Sequence, residues 1–336
     1  MSTECLGSIA RHRSPQPRAA AVTAWGIHVP GLDVAGLVGG RGSGPACPPE
    51  RAHELLGRKK LAFKEPATRL ALCAVHRAFK LPPEARFPER APDPRTAVVV
   101  SSNLGNVATI HGIVHALRRG GIRDVSPLDA PNASSNVIAS TVALWFRLGG
   151  PNLMVCSGAT SGLDAIACAQ LLLRAGRADR VVVVGVEPGD EIASRLYAQR
   201  AGVHGKSAPA LHAAAAAVLL EPATASCKHV YLSERVSSAA EMRAGLDQLR
   251  PPVVIGPAEL ASGTARLIDL GASIGDTYGA SGVLQIAIAA ALIEAQQPET
   301  SPSVVAISGD EADGWRAAIV NGERLRDVPK PFRSPA

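Results

Sequence analysis

Aromatic residues make up only 3% of this 336-residue chain. With so few stacking platforms, single-stranded nucleic acid is a poor partner. No one sign of charge dominates either: 35 Lys and Arg stand against 29 Asp and Glu, a net +6. The longest basic cluster, Arg58-Lys59-Lys60, is short, so nucleic acid is not expected, and the small excess suits steering toward an acidic protein. No uninterrupted apolar run reaches the roughly 18 residues that a bilayer span needs. The opening MSTECLGSIARHRSPQPR lacks an apolar signal core, so the expectation is a cytoplasmic chain with no membrane contact. The six cysteines include no Cys-x-x-Cys pair, and Cys73, Cys156 and Cys168 sit in apolar stretches. That pattern predicts reduced, buried thiols rather than disulfides or a metal site. No histidine follows His229.

What the chain has is apolar residues, 46% against 19% charged, enough for one large core or two fused ones. The central stretch runs from Leu153 to Val186. A short apolar strand, Leu153 to Cys156, meets the turn Ser157-Gly158-Ala159-Thr160-Ser161-Gly162. A helix follows from about Leu163 to Ala175, polar only at Asp164, Gln170 and Arg174, and so predicted to be buried on nearly every side. Gly176 can close it in the left-handed conformation, and the β-branched run Val181 to Val184 reads as a strand covered on both faces. Such a turn delivers free N–H groups and a helix dipole to one point, where a thiolate or oxyanion would be stabilised.

Elsewhere, strands are predicted at Ala20 to Ile27, Thr96 to Ser101, Ala213 to Leu220, 229–236 and Pro252 to Ile255. Helices are predicted at Lys64 to Phe79, Gly105 to Arg119, within Ser126 to Phe146, and at Ser238 to Leu249. The pattern loosens between Val186 and Arg200. The theme of the central stretch then returns: Ser281-Gly282, an almost wholly apolar helix to Ala295, and the strand Val304 to Ile307. From serine to first strand valine is 20 residues in one block (161 to 181) and 23 in the other (281 to 304), the mark of a duplicated α/β unit.

Three motif-like runs carry little. GGRGSG, within the Gly/Pro-rich loop Gly36 to Pro49, has the wrong spacing for a dinucleotide fingerprint and no strand before it. Gly271-Ala272-Ser273-Ile274-Gly275 fits Gly-x-Ser-x-Gly but lacks a later histidine. His111 and His115 share a helix face without a glutamate or a third ligand, so no metal is expected.

The turn ending Thr160-Ser161-Gly162 resembles the nucleophile turn of the β-ketoacyl-acyl-carrier-protein synthases of the thiolase-like superfamily. Gly275-Asp276-Thr277-Tyr278-Gly279-Ala280-Ser281-Gly282 resembles the motif that carries the second catalytic histidine of those enzymes. The resemblance implies an α/β thiolase-like fold: two similar βαβαβ-type halves, each with a mixed five-stranded sheet, and buried helices between them. Domain bounds follow as an arm at 1–19, halves at 20–222 and 226–325, and a tail at 326–336. Ala159 stands where the synthases have the nucleophilic cysteine, Asp276 where they have the second histidine, and Gly256 where the first would fall. The glycine-rich gate motif is replaced by 307–314, Ile-Ser-Gly-Asp-Glu-Ala-Asp-Gly.

A synthase-like chain without these residues is similar to the chain length factors of type II polyketide synthases, although those usually have glutamine at the position of Ala159. The resemblance implies no catalytic residue, no cofactor and no metal. It implies a heterodimer with an active ketosynthase bearing the intact Cys-His-His set and, through that partner, an acyl carrier protein holding the growing chain. Leu153, Met154, Val155 and Cys156 would be the strand paired across the dimer, and Val107, Ile110, His111 and Val114 would line the end of the acyl tunnel or else pack into this chain's own core. Two alternatives stand beside it: a self-sufficient decarboxylase or acyltransferase using Asp276 as base, and a structural partner that only keeps a ketosynthase soluble. Cys156 is a further candidate as a displaced nucleophile, against a buried structural thiol.

Overall fold

The computed structural model describes residues 20–33, 45–85, 87, 91–203, 209–223, 228–261, 263–295, 303–323 and 325. The expected arm at 1–19, the tail at 326–336 and the GGRGSG run lie outside these. Ten strands are present in the described residues: β1 Ala20–His28, β2 Thr96–Ser101, β3 Asn152–Val155, β4 Arg180–Glu187, β5 Ala214–Pro222, β6 Lys228–Leu232, β7 Val253–Ile255, β8 Arg266–Ile268, β9 Ser303–Asp310 and β10 Gly314–Asn321. The helices are α1 His53–Leu56, α2 Pro66–Ala78, α3 Val107–Gly120, α4 Val137–Trp145, α5 Ser161–Arg174, α6 Glu191–Val203, α7 Ala239–Leu249, α8 Leu270–Ile274 and α9 Ser281–Ala295.

The strands form one sheet in the order β3-β2-β4-β5-β1-β6-β10-β9-β7-β8. From each outer edge inward the pattern is the same: third strand, second, fourth, fifth, first. The directions match as well. β3 and β4 run parallel to β2, β5 runs antiparallel to β4, and β1 antiparallel to β5 in turn. β8 and β9 run parallel to β7, β10 runs antiparallel to β9, and β6 antiparallel to β10 in turn. This is the duplication anticipated from the two Ser-Gly blocks, and the halves meet where Ala20 to Val22 pair with Lys228 to Val230. The two five-stranded sheets are thus continuous rather than separate.

Both faces of each half are covered, which explains the unbroken apolar strands. Ala97, Val99, Val181 and Val183 point into a central core shared with α5 and α9, to which the second half adds Ile255, Val304 and Ala306. Their neighbours Val98, Val100, Val182 and Val184 face the opposite way, into an outer core with α2 and α4. Val254, Val305 and Ile307 face a third core under α7. The period of two along a strand therefore feeds two cores at once, giving five layers: helix, sheet, helix, sheet, helix.

The central helices differ more than their composition suggested. α9 is buried from Gly282 through Leu292. With the preceding short turn it forms an 18-residue stretch, Tyr278–Ala295, apolar enough to cross a membrane by composition, yet 78% of it is buried inside the fold. α5 is buried only along its first turns, and Leu171 is 60% exposed, which corrects the expectation of all-round burial. Gly176 closes α5 at φ +65°, as anticipated. The loosened stretch after Val186 holds helix α6, whose mixed sequence gives little amphipathic pattern. The 229–236 strand ends at Leu232, and the 307–314 run leads directly into β10, which the sequence pattern had not marked.

Candidate functional site

The two Ser-Gly turns meet at the centre of the molecule. A methyl group on Gly162 would lie 2.7 Å from the Gly282 nitrogen, and one on Gly282 would lie 2.6 Å from the Leu163 nitrogen. Only glycine lets two helix starts approach so closely.

The turn before α5 is held from two sides. On one, Asn103 brackets it: the Gly158 N–H donates to Asn103 Oδ1 at 3.1 Å, Asn103 Nδ2 donates to the Gly158 carbonyl at 3.0 Å, and Ser161 Oγ donates to Asn103 Oδ1 at 3.0 Å. On the other, Asp164 accepts from Ser157 Oγ, Thr160 Oγ1 at 2.8 Å, Arg235 and Arg316 Nη1 at 2.7 Å. Burial pushes the Asp164 carboxyl up, but the two hydroxyl donors and the two guanidiniums hold it below the usual carboxylate range. Gly158 takes φ +74°, and a side chain there would run into the Asp313 carboxylate.

That carboxylate defines the site. The Ala159 N–H donates to Asp313 Oδ2 at 2.7 Å, and the Ala159 carbonyl accepts from Ser308 Oγ. Arg200 binds Asp313 and also Asp310, the latter at 2.8 Å, and its guanidinium lies 5.1 Å from the centre of the Tyr278 ring. Burial pushes the Tyr278 phenol up to about 12. The backbone donor at the start of α5, which could stabilise a developing oxyanion, already holds a negative oxygen from the chain itself. A methyl group occupies the side-chain position.

Ala159, Gly256 and Asp276 come from the two halves and line one cavity of about 160 Å³, together with Gln285, Ser308 and Asp310. No histidine lines it among the described residues. Asp276 accepts on both oxygens: Oδ1 from the Tyr278 N–H at 2.7 Å and Oδ2 from the Tyr197 hydroxyl. Burial and the adjacent Asp276 charge push the Tyr197 phenol well above its usual range, so that proton stays on the tyrosine.

Glu187, at the end of β4, was missed in the sequence. It is fully buried and accepts from the Asn103 N–H at 2.6 Å, the Leu104 N–H at 3.0 Å and Ser102 Oγ at 3.1 Å. Desolvation outweighs these donors and pushes its carboxyl up to about 7. A lone acid closing an unbroken buried strand was the available signal. Arg200 and Asp313 carried none, because they come from an unmarked helix and a loop 113 residues apart.

The expected dimer strand β3 is an outer edge of the sheet, with Leu153 exposed and Met154 and Val155 partly so. Cys156 lies just past the strand and is exposed, correcting its reading as a buried strand thiol. Its thiol donates to the Ser102 carbonyl, and desolvation and the Glu187 charge push it up, opposite to what a nucleophile needs. Helix α3 buries none of its residues: Ile110, His111 and Val114 are exposed and Val107 partly so, which excludes packing into the chain's own core. His111 and His115 stack at 6.3 Å, and no group of three metal-ligating side chains occurs among the described residues. The Gly271 to Gly275 run lies in and just past α8, with Ser273 Oγ donating back to the Asp269 carbonyl, so it forms no nucleophile elbow.

Residues 52–217 match the family model of the β-ketoacyl synthase N-terminal domain. The chain is 31% identical to 3-oxoacyl-acyl-carrier-protein synthase 2 of Coxiella burnetii over 94 residues, 28% of this chain and 23% of that protein. The Vibrio cholerae synthase 2 gives 33% over 93 residues, 22% of its length, so the match spans under a quarter of these relatives. Among solved structures, the ishigamide ketosynthase/chain length factor superposes with a TM-score of 0.67 at 21% identity, covering 91% of this chain and 99% of that one. A type II polyketide synthase acyl-carrier protein in complex with its hexaketide-bound ketosynthase gives 0.67 at 14% identity, covering 91% and 100%.

Proposed function

We propose that this chain, a β-ketoacyl-synthase-like protein with the thiolase-like fold, acts as the non-catalytic partner of an active ketosynthase, in the manner of a chain length factor. The observation that carries the reading is the state of the Ala159 turn. The side chain is a methyl group that cannot attack a thioester, and the amide that would receive an oxyanion is bonded to Asp313. Asp276 is a poor substitute base because both of its oxygens accept hydrogen bonds, which speaks against a self-sufficient decarboxylase or acyltransferase. The partner supplies the Cys-His-His chemistry and receives the growing chain from an acyl carrier protein.

Two surfaces support the pairing. The β3 edge offers unpaired backbone groups beside the exposed Leu153, a template for strand addition across a dimer. On α3, Val107, Ile110, His111 and Val114 form a stripe that this chain leaves open, suited to closing the end of the partner's acyl tunnel. Volume at that stripe sets how far the acyl chain extends, since a filled channel accepts no further methylene without strain.

The test has three arms. Incubation of the chain alone with an acyl-carrier thioester leaves its intact mass unchanged, and an acyl adduct on any residue would refute the non-catalytic reading. Co-expression with an active ketosynthase gives a 1:1 complex; a stable lone chain indifferent to the synthase would refute the pairing. In that complex, Val107→Trp or Ile110→Trp shortens the products and Ile110→Gly lengthens them. Unchanged product length in all three variants, with the complex intact, would leave only a structural partner.

A further inference from the structure

We propose that the cavity at the end of α4 binds a small organic anion: a doubly charged head, as in a phosphate monoester, carried on an apolar body. The site lies against the outer core of the first half. None of its residues belongs to the Ala159 turn, the β3 edge or the α3 stripe, so it stands apart from the proposed pairing.

The cavity holds about 500 Å³, within the roughly 300–1,000 Å³ of small-molecule sites. Part of its wall is apolar: Trp145, Leu144 and Phe87, whose ring is fixed against those of Phe79 and Phe146 at 5.6 and 5.9 Å. The other part is cationic. Lys60, Lys64 and Arg147 line it, and no carboxylate does so among the described residues. Nor does any of the three have an ion pair or a side-chain hydrogen bond among the described residues. Charges of one sign beside an apolar wall focus their potential into the cleft, and an anion of two charges relieves it more fully than one of a single charge. Thr141 adds an independent sign. It is only 6% exposed and lines the cavity, yet its hydroxyl has no partner among the described residues. A polar group so placed is usually satisfied, and an oxygen of the anion would accept its proton.

The frame around these groups is fixed. Lys60 takes φ +69° and Arg147 φ +56°, a left-handed region that residues with side chains seldom enter. Such conformations persist where the surroundings over-determine them, and they gather at ligand clamps. Here the loop that carries Lys60 and Lys64 is tied by Asn132, whose Nδ2 donates to the Phe63 carbonyl at 2.7 Å. The Arg147 carbonyl accepts from the Asp93 N–H at 2.9 Å. The roles follow from the chemistry of each side chain. The planar Arg147 guanidinium matches two oxygens of a phosphate, while Lys60 and Lys64 act as point charges. The Trp145 ring and Leu144 cover the apolar body.

Titration calorimetry of the intact chain with naphthyl phosphate tests this, at low ionic strength and about pH 7.5, where a phosphate monoester is mostly a dianion. Saturable binding is expected, at least about tenfold tighter than that of inorganic phosphate, which has no apolar body to bury. Arg147→Asn should weaken it about tenfold to a hundredfold, the usual worth of a hydrogen bond to a charged group. Asparagine tolerates the left-handed backbone, so the fold is kept. Leu144 is 78% exposed, so Leu144→Glu sets a carboxylate at the cavity without disturbing the core, and binding should be lost. Thr141→Val should weaken binding severalfold while the urea midpoint holds or rises, because no bond within the chain is removed. The absence of heat with naphthyl phosphate would overturn the proposal. Equal affinity for inorganic phosphate, the mark of an adventitious ion only, would do the same, as would binding indifferent to both Arg147→Asn and Leu144→Glu. Capture of an acidic carrier protein through Lys60 and Lys64, with no binding of naphthyl phosphate, would assign the patch to a protein instead.

Discussion

Replacing Gly162 by alanine tests whether the duplicated halves really touch through their Ser-Gly turns. The added methyl would lie 2.7 Å from the Gly282 nitrogen, 2.8 Å from its Cα and 2.8 Å from the Val283 nitrogen. These are backbone atoms and cannot rotate aside. Ordinary contact needs at least about 3.4 Å, so α5 and α9 must separate by roughly 0.7 Å at the centre of the shared core. Alanine gains about 0.5–1 kcal/mol in a helix over glycine, and overpacking costs about 1–3 kcal/mol. The net cost reaches about 2.5 kcal/mol, and the melting midpoint should fall by up to about 4 °C in calorimetry or circular dichroism. Gly112→Ala is the control: it lies inside α3 with nothing within 4 Å of the new methyl, so its midpoint should stay or rise slightly. The double variant Gly162→Ala/Gly282→Ala should cost less than the sum of its parts, because both methyls open the same gap. A Gly162→Ala protein that melts with the Gly112→Ala control would refute the contact.

Glu187 should give the protein a characteristic pH dependence. Its folded-state pKa of about 7 lies above that of the unfolded chain, so the folded state keeps a proton that the unfolded state releases. Its contribution is full below the unfolded value of about 4.3 and is lost as pH rises to about 7, at most roughly 4 kcal/mol. Urea midpoints of the wild type should fall over that window, and those of Glu187→Gln should fall less; parallel profiles would count against the assignment. Phe146 is fully buried and meets the rings of Phe79 and Phe87 edge-on at 5.4 and 5.9 Å. Phe146→Ala should cost about 3–5 kcal/mol in urea unfolding, and a loss under 1 kcal/mol would mean that the cluster collapses around the gap.

Most of the fold was legible because each half is covered on both faces. That forces long apolar strands and apolar central helices, which stand out from any amphipathic pattern. Thr96–Ser101 is a strand to the residue, and α9 is as buried as its composition required. α6 was not legible, since Glu191, Arg195 and Arg200 interrupt it without a clean face. The exposure of Leu171 and Ile110 was not legible either, because a leucine that awaits a partner looks the same in sequence as one in a core. At the site, Ala159, Gly256 and Asp276, singled out from motif positions, do line one cavity. The Asp313 contact with Ala159 could not be read in this way, because it joins residues 154 apart and depends on a turn at Gly158 that only the backbone reveals.

The position of β1 sets a cost in assembly time. Made before the rest of the sheet, it ends up in the sheet's interior, and Ala20 pairs with Pro222 on one edge and Val230 on the other. Neither neighbour exists until most of the chain has been synthesised. Contacts so distant in sequence make folding slow, and a nascent chain in this interval carries an apolar strand with both edges open. Chains caught there are the ones that aggregate. Yield in expression should therefore track how quickly residues 214–230 follow, and a chaperone that shields strand edges should raise it more than lowering the temperature alone.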